Sequence, residues 1–199
     1  MTTHNQWLLQ TFRIESLYFA HPVNVFSTAL EEEMRALIAS TFPGIKIENP
    51  NTQEHQAGYE RWKKKTAHNP EGHKGMGYYY EEILPHLGSA VAMPFLDGKW
   101  GSGVAGEVRF YINRCMPVWC IDVPQLNRIH LLSKEEKLFL TTKDSLLVLS
   151  NEETRARTWM SPETYGKEKC PYEEAHLVNF IKEQWTSAYL NALKEKSPT

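Results

Sequence analysis

Short hydrophobic runs alternate with amphipathic segments along much of this chain. Strands are expected near residues 17–20, 45–48, 89–95, 117–121 and 145–149, of which residues 45–48 alternate apolar with charged positions and the others are mainly apolar. Between several of them, apolar residues recur every three or four positions, which is typical of helices that bury one face. Strands that alternate with helices favour a sheet of mainly parallel strands. We therefore expect one doubly wound, mainly parallel five-stranded α/β sheet.

Three other patterns predict how the rest of the chain is organised. Ser27 or Thr28 is suited to cap a helix that ends near residue 41. Residues 123–142 hold two apolar runs around a polar stretch, which indicates a small inserted β-hairpin. Residues 173–196 carry an apolar stripe at helical spacing, which predicts a long C-terminal helix. Without repeats or a linker, residues 1–199 are expected to form a single domain.

The least regular stretch covers residues 52–76 and contains a basic cluster at residues 61–65. Long irregular segments inside compact domains are often functional, so one interpretation is a lid whose basic side chains contact a phosphate. The other is a short helix with a solvated charged face, which is what charge runs usually are. The sequence leaves both interpretations open.

Composition excludes several classes of protein. The chain of 199 residues has a net charge of −2 and 41% hydrophobic residues, which favours neither a nucleic-acid groove nor an anionic membrane surface. It has no apolar run long enough to span a bilayer and no signal-peptide pattern near Met1. Three cysteines without a paired motif suggest free thiols. We expect a cytoplasmic protein that binds neither membranes nor nucleic acids.

Residues 90–122 contain the pattern with the clearest chemical meaning. A buried strand leads into a loop with Gly98, Gly101 and Gly103, a helical pattern follows over residues 104–114, and a second buried strand closes the unit. In such a βαβ unit the loop lies at the carboxyl end of a parallel strand, where open α/β sheets bind ligands. Glu107 is expected in the first turn of the helix, facing the same crevice. The helix start and the loop N–H groups are expected to keep its carboxylate ionised.

This order of residues resembles the nucleoside 2-deoxyribosyltransferase family. The matching residues are Asp97-Gly98, the run from Ser102 to Gly106, and Glu107, with Tyr18 on the first strand as a separate match. The resemblance implies a Rossmann- or flavodoxin-like fold, with Glu107 as nucleophile and the Tyr18 hydroxyl orienting it. Many of the transferases have Asp where this chain has Gly101, and Ser102 beside it is closer to the nucleoside-monophosphate N-glycosidases of that family.

Further site residues follow from the resemblance and from the expected crevice. A second acid for the departing base is expected at Asp97 or at Glu81, the latter on the helix before the central strand. The rings of residues 78–80, Tyr80 in particular, are candidates for stacking on a base. His21 and Asn24 follow the first strand, where loops usually contact the ligand. Four loop residues complete the expected substrate-binding set: Gly98, Gly101, Ser102 and Gly103.

The resemblance implies cleavage or transfer of the N-glycosidic bond of a nucleoside or nucleoside monophosphate, through a covalent glycosyl-Glu107 intermediate. Such chemistry needs no metal or redox cofactor. The family completes its site across subunits, and the helices expected at residues 77–87 and 173–196 are rich in aromatic and aliphatic residues. We therefore expect a homodimer or larger homo-oligomer.

Two other functions compete with this interpretation. The same glycine loop and crevice aromatics would serve a nucleotide-binding or signalling module without turnover. A dinucleotide-dependent oxidoreductase fits less well, because the glycines do not follow the first strand and no suitable acid comes after them. Release of free base from nucleosides separates the enzyme from the binding module.

Overall fold

The computed structural model describes residues 4–68, 75–96, 98–123, 125–142, 145 and 147–158. Within them, five strands form one sheet in the order β2-β1-β3-β4-β5. The first four strands run parallel, and β5 pairs antiparallel with β4 at the edge. Their bounds are β1 Ser16–Ala20, β2 Lys46–Glu48, β3 Ser89–Ala92, β4 Val118–Ile121 and β5 Ile129–Leu131. The expected α/β class with a mainly parallel five-stranded sheet is confirmed.

Seven α-helices lie within the described residues. They are α1 His4–Thr11, α2 Ala29–Thr41, α3 Gln53–Thr66, α4 Met76–Tyr78, α5 Ser102–Ile112, α6 Lys134–Thr141 and α7 Asn151–Thr158. A π-helical turn, Tyr79–Ile83, and a 3-10 turn, Leu84–His86, continue α4 toward β3, and a second 3-10 turn, Val23–Val25, follows β1. The expected cap of α2 is correct at Thr28, whose side chain accepts from the Glu31 N–H.

The sheet carries helices on both faces because alternate side chains of each central strand are buried on opposite sides. Leu17 and Phe19 of β1 belong to the core cluster that includes side chains of α1 and α2. Tyr18 and Ala20 belong to the second cluster, with side chains of α5 and α6. This arrangement is that of a doubly wound, Rossmann-like sheet. The strand order reverses between β1 and β3, so the loops after these strands leave a crevice at the carboxyl edge.

The expected β-hairpin in residues 123–142 is wrong. Ile129–Leu131 is a strand, but it pairs with β4, and the second apolar run lies in helix α6. Ser133 and Glu136 form a capping box, in which each side chain binds the backbone N–H of the other residue. This cap satisfies the first free N–H groups of α6, which is why the stretch begins a helix and not a second strand.

The fifth strand expected at residues 145–149 is also wrong, because β5 takes that place in the sheet. Of the described residues in this stretch, Val148 forms a single parallel bridge with Trp100. The Trp100 N–H donates to the Leu147 carbonyl at 2.8 Å, and the Leu149 N–H donates to the Trp100 carbonyl at 2.9 Å. Residues 147–149 therefore hydrogen-bond to the end of the glycine loop and do not add a strand to the sheet.

The stretch expected to be irregular is instead largely helix α3, capped by Thr52, whose side chain accepts from the His55 N–H. Lys63, Lys64 and Lys65 lie on the exposed side of this helix, so the solvated-face interpretation of the basic cluster is correct.

Large rings of α3 and α4 lie against glycines across the contact between the two helices. Tyr78 fills the space over Gly58, and Trp62 fills the space over Gly77. Since a β-carbon at either glycine would collide with the ring, these glycines make room for the two aromatic side chains. The contact holds α3 beside the crevice.

Within the described residues, no helix is long and apolar enough to cross a membrane. The long helix expected at residues 173–196 lies outside the described residues.

Candidate active site

A cavity of about 480 Å³ opens at the reversal of strand order, which is within the size range of small-molecule sites. Its floor includes Tyr18 of β1 and Glu107 of α5, and the loop after β1 contributes His21. Among the expected loop residues, Gly101 and Gly103 line it. Apolar and aromatic side chains make up most of the remaining wall: Val23, Phe26, Tyr59, Met76, Tyr79 and Phe95.

Glu107 and Tyr18 form a buried hydrogen-bonded pair at the cavity floor. The Tyr18 hydroxyl donates to Glu107 Oε1 at 3.0 Å, and the exposed fractions of the two residues are 0% and 6%. Tyr18 occupies the centre of β1, with β2 and β3 on either side, and its fully buried side chain packs in the second core cluster. The sequence placed these two residues together, and the structure brings them into contact.

Glu107 lies in the second turn of α5, not in the first as expected, because the helix already begins at Ser102. Its carboxyl is therefore farther from the free N–H groups of the helix start. Burial raises the pKa of Glu107 to about 8, and the hydrogen bond from Tyr18 lowers it only in part. The expectation that the glycine loop keeps this group ionised is corrected accordingly: at pH 7 the protonated form predominates.

Phenol groups surround this carboxyl. Burial, and next the charge of Glu107, raise the pKa of Tyr18 well above its usual range and the pKa of Tyr80 to about 12. The same two causes raise the pKa of Tyr79. All three hydroxyls therefore stay protonated near neutral pH, and each is a hydrogen-bond donor, never a base.

His21 lines the cavity, and a polar contact with Asn49 and two ring contacts hold its imidazole in place. Its Nε2 lies 3.2 Å from Asn49 Oδ1, and Asn49 Nδ2 donates to Glu31 Oε1 at 2.7 Å. Burial lowers the pKa of His21, so the ring is mainly neutral at pH 7. The Phe19 and Phe26 rings pack on either side, with centroids 4.1 and 4.9 Å from the imidazole. His21 thus presents a fixed, uncharged ring to a ligand.

Three expected substrate contacts lie away from the cavity lining. Asn24 is buried, at 3% exposure, and neither polar atom of its side chain has a hydrogen-bond partner among the described residues. Ser102 starts α5, and its N–H donates to Thr154 Oγ1 at 2.9 Å. Gly98 has a φ of +79°, a conformation that favours glycine, and it lines a separate cavity beside β4. Gly98 therefore forms a turn in the loop.

The second acid is not found where the sequence placed it. Glu81 is exposed on the π-helical turn and does not line the cavity, while Asp97 lies outside the described residues. Tyr80 also points elsewhere, since its ring stacks near Phe110 and its hydroxyl lies against Gly106 of α5. A β-carbon at Gly106 would collide with that hydroxyl, which explains the glycine inside a helix.

Tyr79 and Thr154 are among the cavity residues that sequence reasoning missed. Tyr79, within the expected aromatic stretch but not the residue chosen from it, lines the cavity where Tyr80 was expected. Thr154 belongs to α7, and no motif marks it, but its hydroxyl binds the N–H at the start of α5. Through this bond α7 closes one side of the cavity.

Within the part of the chain that the structure describes, no three His, Cys, Asp or Glu side chains are grouped as metal ligands. The cavity therefore offers one buried carboxyl, several phenols and a neutral imidazole on an apolar wall, which suits chemistry on a small, flat, mostly uncharged ring system. Comparisons with protein-family models, with curated proteins and with solved structures found no match to this chain.

Proposed function

We propose that this protein breaks the N-glycosidic bond of a nucleoside or nucleoside monophosphate, with Glu107 as the nucleophile. The observation that carries the proposal is the Tyr18–Glu107 pair, a carboxyl held by a 3.0 Å hydrogen bond at the floor of a cavity of about 480 Å³. A carboxyl that is buried, oriented and open to a ligand is what nucleophilic attack at a sugar carbon requires.

The reaction begins when an ionised Glu107 oxygen attacks the anomeric carbon. The bond from that carbon to the base breaks, and its electron pair leaves with the base. Water then cleaves the glycosyl ester and gives a free sugar, whereas a second base gives a new nucleoside. Tyr18 holds the attacking carboxyl in one orientation and stabilises its charge through the hydrogen bond.

Protonation controls the first step. Since burial raises the pKa of Glu107 to about 8, the carboxyl must lose a proton before it can attack. Positive charge that develops on the sugar ring favours the ionised form, because an opposite charge nearby lowers a carboxyl pKa. The same apolar surroundings that raise the pKa also strengthen the attraction between the carboxylate and the charged transition state.

The cavity wall is suited to a flat aromatic ligand. Tyr79 and Phe95 line it from the side of β3, and Phe26 lines it from the loop after β1. Nucleobases stack on aromatic faces, so such walls hold the base while Glu107 reaches the sugar.

The test is incubation with ribo- and deoxyribonucleosides and their 5′-monophosphates, with free base measured by chromatography. Wild-type protein should release base from at least one of them. Glu107→Gln keeps an acceptor for the Tyr18 hydroxyl and should release base more slowly by several powers of ten. Equal rates for the two proteins would contradict the role of Glu107.

Without turnover on any of these compounds, the non-catalytic nucleotide-binding module becomes the better explanation. Titration calorimetry with the same compounds then tells the two functions apart, because a binding module retains affinity in both proteins.

The homodimer expected from the sequence stays a proposal. Sedimentation at micromolar concentration tests it directly, and a monomer there would contradict it.

A further inference from the structure

Tyr79 is held more firmly than a residue that merely fills the cavity wall. Four neighbouring rings surround it, with centroid distances of 5.2 to 6.3 Å, and they belong to Tyr18, His55, Tyr59 and Tyr78. Its exposed fraction is 9%, and it lines the same cavity as Glu107. The position of its ring is therefore fixed before a ligand arrives.

The hydroxyl of Tyr79 makes no hydrogen bond to any described residue, whereas those of its neighbours are occupied or turned away. The Tyr18 hydroxyl donates to Glu107, and the Tyr78 hydroxyl lies 3.1 Å from His55 Nδ1. The Tyr59 hydroxyl packs over Gly75. Because Tyr79 lines the cavity and its hydroxyl is not sealed from solvent, this donor is available to an acceptor of a ligand there.

Building on the function proposed above, we propose that the Tyr79 hydroxyl hydrogen-bonds the leaving base and thereby assists its departure. Tyr79 lies on the π-helical turn before β3 and Glu107 lies on α5 after β3, and both line the same cavity. Glu107 then acts at the sugar and Tyr79 at the base. The phenol takes the place that the sequence gave to Glu81, which is exposed on the same turn.

The electron balance of the step needs no other reagent than water. The glycosidic bond breaks, its electron pair stays on the base, and Glu107 forms the new bond to the sugar carbon. Tyr79 shares its proton with an acceptor nitrogen or oxygen of the base but keeps it, in agreement with its raised pKa. Water later gives its hydroxyl to the sugar and its proton to the base, and Glu107 is restored.

A leaving-group test separates this role from a structural one. Base release is measured for guanosine and 2′-deoxyguanosine and for the N7-methylated form of each, whose base leaves uncharged and needs less assistance. Tyr79→Phe should lower kcat roughly 10- to 100-fold for the unmethylated substrates and less than about threefold for the methylated ones. Equal losses for both forms would overturn the proposal.

The matched control is Tyr78→Phe, which removes a phenol hydroxyl from the adjacent residue. That hydroxyl contacts His55, and Tyr78 does not line the cavity. Whatever this variant loses in stability, its rates for methylated and unmethylated substrates should fall by the same factor. Thermal denaturation of both variants shows whether either has lost its fold.

If the wild type cleaves no nucleoside and the proposed function fails, a binding measurement still tests the contact between Tyr79 and a base. Calorimetry measures the affinity of each protein for free adenine and free cytosine. A loss of affinity of about fivefold or more in Tyr79→Phe, but not in Tyr78→Phe, supports a contact between Tyr79 and the base. Equal affinities in the three proteins, or no binding of either base by the wild type, would overturn it.

Discussion

The Tyr18 hydroxyl donates to Glu107 Oε1 at 3.0 Å, and the two residues are 89 positions apart in the sequence. Tyr18 lies in the middle of β1, and Glu107 lies on the helix that follows β3, the strand beside β1. Pairing of β1 with β3 is therefore what brings the two side chains together. A pair that depends on the sheet for its geometry reports directly on whether the sheet is intact.

A sugar with fluorine at its 2-position should trap the intermediate on Glu107. Fluorine slows both steps by destabilising positive charge on the ring, so the glycosyl ester accumulates when the leaving group is good. Mass spectrometry of digested protein should find the added mass on the peptide that contains Glu107, and Glu107→Gln should show none. An adduct on another carboxyl would reassign the nucleophile.

The pH dependence of turnover should follow the raised pKa of Glu107. Because the ionised form attacks, kcat/KM should rise about tenfold per pH unit below a pKa of about 8 and level off above it. Tyr18→Phe removes the hydrogen bond that lowers this pKa, so its profile should move to higher pH, with a loss of roughly 10- to 100-fold at neutral pH.

Tyr111→Phe is the matched control for this shift, since the Tyr111 hydroxyl donates to the Leu84 carbonyl and not to Glu107. Its profile should keep the wild-type midpoint. A midpoint near the ordinary carboxyl pKa in the wild type would contradict the raised pKa of Glu107.

Stability should fall with rising pH because of the same carboxyl. The unfolded chain ionises Glu107 near its ordinary value of 4.5, and the folded protein near 8, so the folded state binds more protons between these values. Stability is full below the lower value and is lost as pH rises to the higher one. Relative to Glu107→Gln, the wild type should lose roughly 3–5 kcal/mol between pH 5 and pH 9 in urea unfolding. Parallel curves would contradict the raised pKa.

Gly106 and Tyr80 should behave as a coupled pair. In the wild type, Gly106→Ala drives a methyl group into the Tyr80 hydroxyl and should cost roughly 1–3 kcal/mol. In a Tyr80→Phe background that hydroxyl is absent, and the ring carbon that carried it would lie 3.4 Å from the methyl. There the same change should be neutral or stabilising by up to about 1 kcal/mol, because Ala favours helix over Gly. Denaturant unfolding of the four proteins gives the coupling. Additive effects would show that the contact does not matter.

Three of the parallel strands, β1, β3 and β4, were predictable from the sequence because each is a largely apolar, buried run, whereas β2 was marked by the alternation of apolar and charged residues at 45–48. The fifth was not, since β5 is only partly buried and its position depends on pairing with β4. The helix mistaken for a hairpin strand carried a usable signal, the Ser133–Glu136 capping box, which the apolar run that follows it obscured.

The site residues that belong to a sequence motif were predictable. Those whose place depends on local helix geometry were not. Glu107 and Tyr18 followed from their order along the chain, but the choice of Glu81 depended on counting along a regular helix, and Tyr80 was taken from the aromatic run at residues 78–80. The π-helical turn at Tyr79–Ile83 inserts an extra residue into that register, so Tyr79 faces the cavity instead. The protonation of Glu107 was also missed, because burial of a side chain is a property of the whole fold.

The hydrogen bond between Thr154 and the start of α5 joins two parts of the cavity that lie far apart in the sequence. The Tyr18–Glu107 pair is held by β1 and α5, whereas one wall of the cavity belongs to α7, beyond the last strand of the described sheet. Replacement of cavity-facing residues on α7 changes the space around a ligand without touching the carboxyl or its phenol. The shape of the cavity and the geometry of the Tyr18–Glu107 pair are therefore set by different segments of the chain.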